Sequence, residues 1–100
     1  MLKKDLKNKK IVVFGTGGQC RKIIEEDKII SPKDVAYFVD NNEVKWNDCI
    51  YGKQILNPYE LNKEDKSQLF IVIASTFYTE IKKQLEKMGF IDGIHFEMAT

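Results

Sequence analysis

Residues 10–18 read KIVVFGTGG, a β-branched and aromatic run that ends in a cluster of glycines. A continuous apolar run of this length, closed by glycine, is typical of a strand buried on both faces of a parallel sheet. Beyond the glycines, apolar residues recur at helical spacing, with charged residues on the other side. The apolar positions of that helix are Cys20, Ile23, Ile24 and Ile29. The segment therefore predicts a buried strand, a tight turn and a helix.

A second apolar run, residues 35–39, follows Ser31-Pro32 and ends at Asp40. Proline disfavours the helical conformation in the residue before it, so this dipeptide predicts the end of the first helix. A strand, a helix and a second strand over about thirty residues have the expected size of a βαβ unit. We interpret this part of the chain as one such unit.

The polar region that follows predicts a loop with one short edge strand at residues 53–56. Asn57 is then the predicted N-cap of a short helix, because Pro58 suits the first helical position and Glu60 can reach back to the cap. We expect this helix to end at about Lys63.

Residues 69–74 form another continuous apolar run, which predicts the third major strand. A helix follows it, with Ser75 or Thr76 as the N-cap and Gly89 as the C-terminal cap. The predicted inward positions of this helix are Phe77, Ile81, Leu85 and Met88. A final strand is predicted at residues 94–97.

The alternation of strands and helices predicts a three-layer, Rossmann-like α/β domain with a mostly parallel sheet of four strands plus a short edge strand. The expected order is edge, second, first, third, fourth. In that order the chain reverses at the first strand, so the ligand site is expected in the crevice at the carboxyl ends of the first and third major strands. The 100 residues predict a single domain, residues 1–100, of which residues 1–9 form a basic lead-in.

Sixteen basic and fifteen acidic side chains give a formal net charge of +1, which argues against a nucleic-acid partner. The chain has no apolar run of the roughly 18 residues that a membrane span needs, and Met1 is not followed by a secretory apolar stretch, so we expect a cytoplasmic protein. Cys20, Cys49 and the single histidine, His95, do not have metal-ligand spacing. We expect neither a metal site nor a disulfide.

The glycine cluster stands where a Rossmann fingerprint is expected, directly after a buried strand and at the start of a helix. Gly15 would form the tight turn, and Gly17 would let the backbone approach a pyrophosphate at the positive end of the helix. Cys20 replaces the third glycine of the fingerprint, and its small side chain still permits close packing. The predicted phosphate-binding residues are Gly15, Thr16, Gly17, Gly18 and Gln19.

Asp40 lies about twenty residues past this motif, at the end of the second strand, where dinucleotide-binding folds place the acid that binds a ribose. A carboxylate there would repel a 2′-phosphate, which favours NAD or a uridine ribose over NADP. Asn41 is assigned to the same site. Ser75 and Thr76, after the third strand, either contact the ligand or only cap the helix. The alternative is that the glycines only shape a turn and that Asp40 only ends its strand.

Other motifs carry less weight. The chain lacks the glycine, lysine and serine or threonine that close a P-loop. Tyr78 and Lys82 match the Tyr-x-x-x-Lys spacing of short-chain dehydrogenases, which we interpret as a coincidence in a lysine-rich chain. We assign His95 a structural role, and we expect Trp46 to pack over the sheet edge in preference to stacking on a base.

Seven short stretches together resemble a known module: residues 11–18, 37–42, 45–46, 52–55, 57–61, 71–75 and 85–90. It is the Rossmann-like N-terminal nucleotide-binding domain of bacterial surface-polysaccharide and sugar-nucleotide proteins. Relatives include sugar O-acyltransferases, nucleoside-diphosphate-sugar dehydratases and polysaccharide methyltransferases. In the acyltransferases this domain binds the UDP-sugar, and a separate β-helix supplies acetyl-CoA and the catalytic histidine. Those acyltransferases often carry a histidine and a glycine where this chain has Gln19 and Cys20.

The resemblance implies a module that binds NAD or a nucleotide-sugar in polysaccharide or sugar-nucleotide biosynthesis and does no chemistry alone. Two alternatives stay open. One is a truncated sugar-nucleotide oxidoreductase or epimerase-like enzyme completed by another domain. The other is a structural or oligomerisation domain with a vestigial site, so a further domain or a homo-oligomer would be the partner.

Overall fold

The computed structural model describes Leu6 and residues 8–99. They form a mixed α/β fold with one six-stranded, mostly parallel sheet. The strands are β1 (Lys10–Phe14), β2 (Val35–Val39), β3 (Cys49–Ile50), β4 (Lys53–Leu56), β5 (Leu69–Ile73) and β6 (Phe96–Met98). The α-helices are α1 (Gly18–Arg21), which continues as a π-helical segment at Lys22–Glu26, and α2 (Tyr78–Lys87). The basic lead-in predicted at residues 1–9 lies mostly outside the described residues.

The strand order is β3-β4-β2-β1-β5-β6. β1 pairs in parallel with both β2 and β5, and β6 pairs in parallel with β5. The predicted order of the edge strand and the four major strands is therefore confirmed. The predicted number of strands is wrong by one, because the structure contains an additional strand, β3, which pairs antiparallel with β4. Tyr51 and Gly52 join these two strands, both at positive φ (52° and 76°), as a two-residue hairpin turn requires.

The last strand begins later than predicted. Gly93 has a φ of 84°, and the N–H groups of Ile94 and His95 both donate to the carbonyl oxygen of Ile91. These bonds form a turn, so the strand predicted from residue 94 begins at residue 96.

The first helix also differs from its prediction. Cys20, Ile23 and Ile24 are buried as expected, but the helical segment ends at residue 26 and Lys28 has a φ of 50°. Ile29 follows this turn and is only partly buried.

The short helix after Asn57 is a 3₁₀ helix, Pro58–Lys63. The Asn57 side chain caps it by accepting from the N–H of Tyr59 at 3.0 Å. The predicted capping-box contact of Glu60 is wrong, because Glu60 lies 3.0 Å from Lys63, one helical turn further on.

Helix α2 packs on the sheet through Ile81 and Leu85, and Met88 is partly buried against the same cluster. Gly89 follows the helix with a φ of 93°, as predicted for a C-terminal glycine. The prediction that Phe77 faces the core is wrong, because Phe77 is 67% exposed. Phe77 is the N-cap of α2, so the prediction that Ser75 or Thr76 caps this helix is also wrong.

Alternate residues of β1 lie in two separate apolar clusters. Ile11 and Val13 pack with residues of the first helical segment, and Val12 and Phe14 pack with residues of α2. Because successive side chains of a strand point to opposite faces, both faces of β1 are buried. This explains the uninterrupted apolar run that the sequence shows.

A polar cluster lies at the start of β1. Glu64 accepts a hydrogen bond from the Tyr37 hydroxyl at 2.7 Å and lies 3.0 Å from the Lys10 ammonium group. Burial alone would raise the pKa of Glu64, but these two hydrogen bonds outweigh it and hold the pKa below its ordinary value. Burial, together with the bond to Glu64, raises the pKa of Tyr37.

Candidate functional site

A cleft of about 460 Å³ lies at the carboxyl ends of β1 and β5, where the ligand site was expected. Most of the predicted site residues border it. The lining residues are Gly15, Thr16, Gly17, Gly18, Gln19, Asp40, Asn42, Lys45, Ala74, Ser75, Thr76 and Phe77. Asn41, the remaining predicted residue, borders an adjoining cavity of about 300 Å³ instead. The two cavities share Gly15, Asp40, Ser75 and Phe77.

Gly15 is required by the fold itself. Its φ is 115°, and a Cβ atom at this position would lie 2.3 Å from the carbonyl oxygen of Ala74. Its N–H donates to the carbonyl of Val39 at 2.8 Å, and the N–H of Ala74 donates to the carbonyl of Phe14 at 2.8 Å. This residue therefore lets the ends of β1, β2 and β5 come together.

Gly17 and Gly18 differ from Gly15. Apart from its chain neighbours and the backbone of its own helix, a Cβ atom on either residue would meet no atom of the described chain within 4 Å, and neither residue has a positive φ. Both border the larger cleft. Packing within the described residues therefore does not require glycine at these two positions.

Asp40 joins the turns that follow β1 and β2. Its Oδ2 accepts from the N–H of Thr16 at 3.0 Å and from the Thr16 hydroxyl at 2.7 Å. Its Oδ1 accepts from the N–H of Asn42 at 2.8 Å. A carboxylate has about four acceptor positions, so three are filled and one position on Oδ1 is left for a ligand. Asp40 thus has a structural role. This role is larger than the alternative interpretation gave it, in which Asp40 only ends its strand.

Lys45 is a charged residue of the cleft that sequence reasoning did not assign to the site. Its Nζ donates to the hydroxyl of Thr16 at 3.2 Å and lies 4.0 Å from Oδ2 of Asp40. It ends a 3₁₀ turn, Glu43–Lys45, whose N-cap Asn42 accepts from the N–H of Val44. Nothing in its local pattern distinguishes Lys45 from the many other lysines, because the contact depends on a turn 29 residues earlier.

Trp46 holds this loop against the end of β2. Its indole N–H donates to the carbonyl oxygen of Asp40 at 2.7 Å, and the residue is partly buried. This hydrogen bond fixes the loop that carries Lys45.

The remaining predicted residues have different roles. The hydroxyl of Ser75 accepts from the N–H of Phe77 at 3.0 Å, so Ser75 shapes the turn before α2, while Thr76 is exposed at the cleft. The side-chain amides of Asn41 and Gln84 form two reciprocal hydrogen bonds of 2.9 Å. This pair ties the end of β2 to α2, a contact across 43 residues that the sequence does not indicate.

Tyr78, Lys82 and His95, to which the sequence assigns no role in ligand binding, do not border the two cavities. Lys82 forms an ion pair with Asp92 at 3.3 Å, and this hydrogen bond raises the pKa of Lys82. His95 accepts from the N–H of Ile91 at 2.8 Å through Nδ1, within the turn before β6. These contacts agree with the structural interpretation of both features.

Cys20 is buried, and Cys49 is exposed. Burial, together with the charge of Asp40, raises the pKa of Cys20 to about 11. Within residues 8–99, no group of three or more histidine, cysteine or acidic side chains is placed to hold a metal ion. No helix in the same part of the chain is long and apolar enough to cross a membrane.

Comparison with known proteins gives one result that covers most of the chain. No curated protein matches the chain. Residues 7–93 match the family model described as C2185-like, N-terminal. That match includes every strand of the sheet except the last and all residues that border the cleft. The chain therefore belongs to the C2185-like N-terminal domain family.

Proposed function

We propose that this chain is a Rossmann-like, three-layer module that binds NAD or a nucleotide-sugar, as part of a bacterial polysaccharide or sugar-nucleotide biosynthesis protein. One observation carries the proposal. Gly17 and Gly18 border the cleft at positions where no described atom would obstruct a side chain. A close approach of a ligand to the backbone is a physical reason for glycine at such positions.

The phosphates of the ligand are bound by the glycine turn and Lys45. The first N–H groups of a helix have no acceptor within that helix. In α1 the N–H of Arg21 donates to the carbonyl oxygen of Gly17. Lys45 adds a positive charge. Its ammonium group has three donors, of which one is used on the Thr16 hydroxyl, and it lies 4.0 Å from Oδ2 of Asp40, so donors remain for a phosphate.

The ribose contact is made by Oδ1 of Asp40, which accepts one hydrogen bond from Asn42 and has room for another. The nearby charge of Lys45 offsets part of the charge of Asp40. We therefore expect weaker discrimination against the 2′-phosphate of NADP than an isolated carboxylate would give.

The module binds its ligand and leaves the reaction to another domain or partner. Among the described residues, the ionisable side chains that border the larger cleft are Asp40 and Lys45, and both are hydrogen-bonded to Thr16. This division of roles is the one that the resemblance to sugar O-acyltransferases implies.

The test is calorimetric titration of the protein with NAD, NADP, UDP-sugars, CoA and S-adenosylmethionine. We expect at least one nucleotide to bind, and Gly17→Val to weaken it at least about 10-fold without unfolding the domain. Lys45→Met should weaken binding too, and should reduce its dependence on salt. Lys87→Met, which removes an exposed lysine at the end of α2, is the matched control and should bind like the wild type. Absence of binding to every compound would overturn the proposal.

A further inference from the structure

Phe77 lies between the end of β5 and the start of α2, and it borders both cavities. It is a large aromatic residue, yet 67% of its surface is exposed. Its backbone is held on both sides: the N–H donates to the hydroxyl of Ser75 at 3.0 Å, and the carbonyl accepts from the N–H of Ile81 at 3.1 Å. The ring is therefore presented at the cleft from a fixed position of the chain.

Neither packing nor helix capping accounts for an aromatic residue here. Phe77 is the N-cap of α2, a position that favours serine, threonine, aspartate, asparagine or glycine because their side chains or small size satisfy the first helical N–H groups. A phenyl group does neither. Exposure of the ring also forgoes the free energy that its burial would contribute. Departures from local rules of this kind are expected at functional positions.

The smaller cavity beside Phe77 has the composition of a site for a flat ring. Phe14 and Ile81 provide apolar surface, and Asn41 and Glu80 provide polar groups. Since Asn41 uses one donor and one acceptor in its pair with Gln84, it has one of each left. An ionised Glu80 only accepts hydrogen bonds. These groups suit a planar heterocycle with N–H donors at its edge.

We propose that Phe77 is the stacking platform for the planar heteroaromatic ring of the ligand, with that ring in the smaller cavity. This inference rests on the proposed nucleotide-binding function and adds a residue that specifies the ring. Either the nucleobase or a nicotinamide ring has this chemistry. Aromatic residues stack on such rings with little regard to their identity, since each ring has a π face.

The test is titration of wild type and variants with four probes: UDP, ADP-ribose, nicotinamide mononucleotide and inorganic pyrophosphate. Phe77→Ala should weaken binding of the probes whose ring occupies the smaller cavity, either the base-containing ones or nicotinamide mononucleotide, about 5- to 150-fold. Phe77→Trp should keep the wild-type affinity, and Phe77→Leu should behave like Phe77→Ala. Pyrophosphate has no ring, so its affinity should not change. Tyr59→Ala removes another exposed aromatic residue, 61% exposed and beside a different cavity, and should have no effect.

The probes identify the ring. A loss with UDP and ADP-ribose alone assigns the platform to the base, and a loss with nicotinamide mononucleotide alone assigns it to nicotinamide. If the wild type binds the probes and Phe77→Ala or Phe77→Leu binds them equally well, the stacking role is wrong while nucleotide binding stands. An equal loss of pyrophosphate affinity would also overturn stacking. If the wild type binds none of the probes, nucleotide binding fails, and the stacking role fails with it.

Discussion

Replacing Gly15 with alanine should destabilise the domain strongly, because the new methyl group would meet backbone and not a movable side chain. Its Cβ would lie 2.3 Å from the carbonyl oxygen and 3.0 Å from the carbonyl carbon of Ala74. The φ of 115° adds backbone strain. Strain of this kind costs about 1–3 kcal/mol, and overpacking of a buried site costs about 1–3 kcal/mol more.

The expected loss of unfolding free energy is thus about 2–6 kcal/mol. That is a large part of the about 5–15 kcal/mol available to a domain of this size, and it lowers the Tm by about 8 °C or more. Urea denaturation followed by circular dichroism measures the loss, provided that the m value is unchanged.

Gly18→Ala is the matched control. Its Cβ would meet no described atom within 4 Å, and alanine suits the first helical position better than glycine does. We expect the free energy of unfolding to be unchanged or to rise by up to about 1 kcal/mol. If Gly15→Ala were as stable as wild type, or Gly18→Ala as unstable as Gly15→Ala, the division of the glycines into fold and ligand positions would be wrong.

Three further predictions concern the groups around the sheet. Asp40→Asn should lower the free energy of unfolding by about 1–3 kcal/mol, since the amide loses charge-assisted acceptors for the neighbouring turns, and unchanged urea stability would contradict this role. Cys49 should react with Ellman's reagent in the native protein and Cys20 only after denaturation, because Cys20 is buried with a pKa of about 11; two fast thiols in the native state would refute this. The pKa of Glu64 is lower in the folded than in the unfolded protein. The contribution of Glu64 to the free energy of unfolding is therefore present at a pH above its ordinary pKa of 4.5, and it is lost as the pH falls through the folded pKa. Tyr37→Phe removes one of the bonds responsible, so stability measured by denaturation from pH 7 to pH 3 should fall less steeply than in wild type.

The role of Asp40 changes how the site is to be tested. From the sequence, Asp40→Ala is the natural control for any nucleotide that binds. In the structure that substitution would release the Thr16 turn and the Asn42 turn together. A loss of binding would then reflect a disturbed glycine turn as well as a lost ribose contact. Gly17→Val and Lys45→Met perturb the cleft with fewer structural partners.

Sequence patterns predicted those strands and helix ends that residues adjacent in sequence specify. The apolar runs of β1, β2 and β5, the short strand β4 and the caps at Asn57 and Gly89 lie where the sequence indicated them. Each is specified by neighbouring residues through periodicity or turn chemistry. Strand β3 has only two residues, too few to show an alternating pattern. Its hairpin turn contains Tyr51 at a positive φ, a conformation that a tyrosine in the sequence does not predict.

The site was predicted as a set of positions but not as a set of contacts. The glycine turn and Asp40 were identified because a fingerprint has a fixed spacing. The contact of Lys45 with Thr16 and the amide pair of Asn41 with Gln84 join residues far apart in sequence. Phe77 fits a helical apolar period and was assigned to the core for that reason, although it faces the cleft. Tertiary placement, which periodicity does not encode, decided these cases.

Nitrogen-15 NMR titration of the uniformly labelled protein with UDP and with NAD tests the central claim most directly, because it reports binding and its location together. We predict saturable shifts in the amide signals of Gly17, Gly18 and Lys45, with the signals of β6 unaffected. If neither compound moves these signals at millimolar concentration, or if the shifts lie away from the cleft, the nucleotide-binding account is contradicted.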